Sequence, residues 1–83
     1  MTLDLNEFKE QIPSMKVIIQ NNQNLPLTDL VSKCSAACGV PVVTSIYYIG
    51  SIIGFSDELD RVLNICLQFY KYDAIVGVEE YRK

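Results

Sequence analysis

Val40-Pro-Val-Val-Thr-Ser-Ile-Tyr-Tyr-Ile-Gly-Ser-Ile-Ile-Gly-Phe55 is a run of sixteen residues without a charge, rich in β-branched and aromatic side chains and holding two glycines. Apolar surface of that density is stable only when it is covered. β-Branched and aromatic side chains suit a pleated surface better than a helix. The run is therefore read as the centre of a β-sheet. Ile49-Gly50-Ser51 would turn a hairpin between strands over 42–48 and 51–55. Alternatively, the glycines mark bulges in one long bent strand.

Working outward, Ser56 is an N-cap, and Asp57 and Glu58 sit at the positive end of the helix that follows. Leu59, Val62, Leu63, Cys66, Phe69 and Tyr70 form its apolar stripe, which Ile65 and Leu67 widen. A stripe that broad predicts burial on more than one side. Lys71 closes this helix, and Tyr72–Tyr81 reads as the last strand, with Ala74, Val76 and Val78 on one side. The polar tail from Glu79 to Lys83 is expected to leave the sheet. Upstream, Pro26 opens and Gly39 ends an amphipathic helix over Pro26–Cys38, carried by Leu27, Leu30, Val31, Cys34, Ala37 and Cys38. Met15–Gln20 is a short β-prone run. Asp4–Ile12 reads as a short helix with a capping box from Asp4 and Glu7, stopped by Pro13.

The element order is helix, then strand–helix–strand–strand–helix–strand. That order predicts one α+β domain over residues 1–83, a ferredoxin-like βαββαβ sandwich with an extra N-terminal helix. Helices would cover one sheet face. The other would carry apolar side chains and need the N-terminal helix or a second copy to shield it.

Composition narrows the function. In 83 residues, 49% are apolar, a generous share for so small a body, which predicts self-association. Net charge is −3, and no Lys or Arg lies between Lys33 and Arg61. A phosphate-backbone binder or a ligand of anionic membranes needs the opposite. Uncharged runs fall short of a membrane span. Thr2–Gln11 is too polar and acidic for a signal peptide. Three cysteines, Cys34, Cys38 and Cys66, do not make a secreted disulfide framework. A reducing cytoplasm is the expected setting.

There is no histidine, which removes the usual triads and the commonest general base. Asp57, Glu58 and Asp60 are explained by capping and solvation. The glycines lack a phosphate-loop pattern. No enzyme, catalytic residue, metal site or cofactor is expected. Cys34 and Cys38 share a helical face at i and i+4, the basis of an alternative reading as a metal- or thiol-responsive sensor, although core packing accounts for both. A weak nucleic-acid-binding module is a further alternative. Ala37-Cys38-Gly39-Val40 with Thr44 resembles the turn of a helix-turn-helix, but the residues after it favour a strand and bring no phosphate contacts. The aromatic signature of an RNA-recognition sheet is also missing. Five tyrosines are many for this length. Tyrosine is enriched at interfaces, and Tyr47, Tyr48 and Tyr81 are the candidate partner-binding residues.

Ala36-Ala37-Cys38, Thr44-Ser45-Ile46-Tyr47-Tyr48, Gly50, Ile52 and Glu58 resemble the helix end and long second strand of the divalent-cation tolerance family CutA. The resemblance spans under a third of the chain. It lacks that family's tryptophan after the tyrosine and its C-terminal His-Pro-Tyr-Glu stretch. It implies a ferredoxin-like trimer, related in architecture to the PII signalling proteins and joined by sheet pairing between subunits. No metal site is carried over. The combined expectation is a small non-enzymatic binding or regulatory protein. It would self-associate through its sheet and dock on a protein partner or a small effector.

Overall fold

A computed structural model describes residues 1–82 and shows a mainly helical chain. In order, its elements are β1 (Thr2–Asp4), a 3-10 turn (Lys9–Gln11), α1 (Ile12–Asn21), α2 (Leu27–Cys38), α3 (Val42–Ile53), α4 (Asp57–Tyr70), β2 (Ala74–Val76) and α5 (Val78–Tyr81). The expected ferredoxin-like α+β sandwich is not formed. The sheet has two strands, paired in parallel with Thr2 opposite Ala74, Leu3 opposite Ile75 and Asp4 opposite Val76.

The decisive correction is α3. The run read as paired strands is one helix, and every residue from Val43 to Gly50 is buried. It is the axis of the fold, with α1, α2, α4 and α5 packed around it. β-Propensity spans only about 1 kcal/mol per residue. Burying an Ile, Val or aromatic side chain contributes about 1.5–3 kcal/mol whichever backbone carries it. Tertiary burial therefore decides the conformation. Pro41, with an extended ψ of 147°, leads into the first turn, where its missing N–H costs nothing. The hydroxyls of Ser45 and Ser51 donate to the carbonyls of Val42 and Tyr48, each at 2.7 Å, so neither is left unpaired inside the helix.

The ends of the chain differ from expectation for related reasons. Asp4–Ile12 is not a helix. Asp4 lies in β1, and its carboxylate accepts the Asn6 N–H at 2.9 Å, an Asx turn in place of a capping box. Pro13 opens α1 instead of stopping a helix before it. Met15–Gln20 lies wholly within α1, where Met15 and Ile19 face the core one turn apart. The predicted last strand shrinks to β2. Gly77 (φ 86°) then turns the chain into α5, which returns Tyr81 to the core. Lys83 of the predicted tail lies outside the described residues.

Two helices form where the sequence placed them. Pro26 is the N-cap of α2, and Gly39 ends it in a left-handed conformation (φ 65°). Ser35 ties down that turn, its hydroxyl donating to the Val40 carbonyl at 2.6 Å. Ser56 caps α4, accepting the Leu59 N–H at 3.1 Å. No single helix among the described residues is long and apolar enough to cross a membrane.

Candidate functional site

α4 begins with Asp57, Glu58 and Asp60 in its first turn, where the helix dipole favours negative charge. It ends at Lys71, which takes a left-handed conformation (φ 52°) and donates its N–H to the Leu67 carbonyl at 3.0 Å. Leu59 and Leu63 point inward and are buried. The apolar pattern goes beyond what this inward face can cover. Ile65 is 61% exposed, Phe69 79% and Tyr70 41%. Phe69 and Tyr70 meet edge to face with ring centroids 5.3 Å apart, and Tyr70 stacks on Tyr72 at 6.3 Å. These aromatic contacts stay on the outside of the fold.

Between α2 and α4 runs a groove of about 250 Å³. Val31, Val42, Val62, Ile65 and Cys66 line it, with Thr28 and Ser32 at the rim. Its walls are apolar, and Ile65 belongs to both the groove and the exposed stripe. Among the described residues, the Cys66 thiol is the one ionisable side chain lining the groove, and burial pushes it up from its usual range. An arrangement of this kind can accept an apolar side chain from a partner surface.

The three tyrosines singled out in the sequence lie elsewhere. Tyr47, Tyr48 and Tyr81 are buried, so none of them presents a ring to a partner in this structure. Tyr48 donates its hydroxyl to the Leu5 carbonyl. Its ring lies 5.0 Å from that of Tyr81, whose hydroxyl donates to the Asn6 side-chain oxygen at 3.4 Å. Burial first, then the neighbouring Tyr81, push the Tyr48 phenol up to about 12. Tyr47 packs edge to face on Phe55 at 6.2 Å. Arg82 lies 4.8 Å above the Phe55 ring and pairs with Asp60 at 2.8 Å. The tyrosines thus bind the terminal segments to the helical core.

The cysteines also pack. Cys34 is fully buried, and burial, helped by Cys38, pushes its thiol up to about 11. Burial raises Cys38 as well. A thiol that resists ionisation is a poor nucleophile and metal ligand. No group of three or more His, Cys, Asp or Glu side chains among the described residues could hold a metal ion. α2 and α3 cross at 112°, within the range of a helix-turn-helix. However, the second helix of that pair is buried from Val43 to Gly50 and has no face to lay in a DNA groove.

The exposed pair Ile65 and Phe69 was the part missed by reading the sequence. Ile65 widens the α4 stripe and Phe69 belongs to the stripe itself, and a stripe that broad reads as deeper burial. Compared with known proteins, the chain matches no family model, no curated protein and no solved structure.

Proposed function

We propose that this chain is a non-enzymatic docking protein that receives an apolar partner surface on the α2–α4 face. The observation that carries the reading is the exposure of Ile65 and Phe69 one turn apart beside an apolar groove. Single exposed apolar residues need no explanation. A contiguous stripe rimmed by Thr28, Ser32 and Arg61 has the anatomy of an interface. The chain also lacks histidine, which supports binding over catalysis. The two-stranded ladder is too short to serve as the assembly surface expected from the sequence. Docking through α4 replaces that part of the expectation.

Photo-cross-linking in the native host tests the proposal. A photoreactive residue at position 69 should give a discrete protein adduct that Ile65→Lys abolishes. The same residue at exposed position 23, on the α1–α2 loop, should give none. Equal labelling from both positions would remove the α4 face from consideration.

A further inference from the structure

We infer that the occupant of this face is a second copy of the chain, lying antiparallel along α4 about a two-fold axis through Ile65. The inference rests on the docking reading above. A helix that packs on its own copy must offer a self-complementary stripe. At 3.6 residues per turn, Glu58, Arg61, Val62, Ile65, Gln68 and Phe69 share one side of α4. Ile65 on the axis meets its equivalent. Val62 and Phe69 lie on one edge of the stripe, seven positions apart and nearly centred on the axis. Each therefore faces the other across the interface. Arg61 and Gln68 stand in the same relation on the opposite edge. Apolar groups meet apolar groups, and the Arg61 guanidinium meets an amide that can accept its hydrogen bond.

The groove supplies a receptor for the largest of these side chains. Val62 forms one of its walls, so the Phe69 ring of the second copy is directed into a space of about 250 Å³, with room for a phenyl group. Charge then sets the direction. Asp57, Glu58 and Asp60 occupy the start of α4, and Lys71 caps its end. Antiparallel packing lays the acidic turn of one copy beside the basic end of the other and aligns opposite ends of the two helix dipoles. Parallel packing would bring the two acidic turns together.

The interface is small. α4 is about 21 Å long, which with the groove rim falls among specific interfaces that bury less than about 1,200 Å² in total. The dimer should accordingly be weak and reversible, with a Kd in the micromolar range.

Sedimentation velocity on the whole chain from about 1 µM to about 1 mM brackets that range. Wild type should shift from monomer to dimer mass, and Ile65→Lys and Phe69→Ser should each raise Kd tenfold or more. Both substitutions are at exposed positions, so thermal unfolding at concentrations well below Kd, where wild type is also monomeric, should be unchanged, separating lost docking from lost folding. Oxidative trapping then tests the axis. In a Cys66→Ala background, Ile65→Cys should form a covalent dimer quickly and Asn64→Cys slowly, because position 64 points about 100° away. A monomer at every concentration would overturn the second-copy assignment and leave the docking face to the photo-cross-link at position 69. A dimer indifferent to both substitutions would overturn the face itself. Equal trapping at 64 and 65 would overturn the two-fold geometry.

Discussion

Gly50 lies inside buried α3, where an alanine would ordinarily stabilise the helix by about 1 kcal/mol. Here a Cβ at position 50 would come within 3.0 Å of three carbons at the far end of the Phe55 ring. Ordinary carbon contacts are about 3.5–4.0 Å, so the ring must retreat. Phe55 follows Gly54, whose φ of 91° makes the end of α3 the point that yields. A displaced ring gives up its edge-to-face contact with Tyr47, about 0.5–1.5 kcal/mol. It also gives up the Arg82 cation, about 0.5–1 kcal/mol at this partly exposed site. Part of its apolar burial goes as well. The loss exceeds the helix gain, and Gly50→Ala should destabilise the fold by about 1–2 kcal/mol. In a Phe55→Ala background the obstacle is gone, and the same substitution should stabilise by up to about 1 kcal/mol. Urea unfolding of the four proteins of this double-mutant cycle reads the coupling directly, expected at about 2–3 kcal/mol. If Gly50→Ala costs the same with and without the Phe55 ring, the ring does not set the glycine requirement and the account of this corner of the fold is wrong.

Three further perturbations follow from the interior. Tyr48→Phe removes the donor to the Leu5 carbonyl and should cost about 1–3 kcal/mol, lowering Tm by several degrees in calorimetry. Tyr48 should also make the protein sensitive to alkali: its phenol is held up to about 12 in the fold against about 10 in the unfolded chain, so its contribution is complete below pH about 10 and is lost as pH rises towards 12. Unfolding curves between pH about 8 and about 12 should show that decline, and Tyr48→Phe should make it shallower, leaving the part carried by the buried thiols and by Tyr47 and Tyr81. Thr44→Val should leave stability unchanged or raise it by about 1 kcal/mol in urea titration, because the Thr44 hydroxyl is fully buried with no hydrogen-bond partner among the described residues.

The sequence announced helices wherever they have a dry side, a wet side and chemical punctuation. α2 alternates Leu30, Val31 and Cys34 with exposed Thr28, Asp29 and Lys33, between Pro26 and Gly39. α4 has Ser56 and three acids at its start. α3 has the punctuation, Pro41 before it and Gly54 after it, but from Val43 to Gly50 it is surrounded by other elements and has no wet side, so that stretch carries no period from which to tell helix from strand. β-Branched residues then tipped the reading the wrong way. α1 suffered from the double meaning of proline, which ends one helix or begins the next. The exposed stripe of α4 is hidden for a different reason: the sequence shows more apolar residues than one contact needs, but not that Ile65 and Phe69 stay outside. The tyrosines followed a general preference for interfaces, whereas Tyr47, Tyr48 and Tyr81 satisfy it within the chain.

The short parallel ladder has a kinetic consequence. It joins segments as distant as Met1 and Asp73, 72 positions apart. Closing so long a loop costs conformational entropy that a three-residue ladder cannot recover until the helices between its strands are in place. The clasp should therefore assemble late and let go early. When it lets go, β1, β2 and α5 should open together, releasing Tyr81 from Tyr48 while α2, α3 and α4 stay folded. Amide exchange should then report two layers in this small body, a quick outer buckle and a slow helical centre.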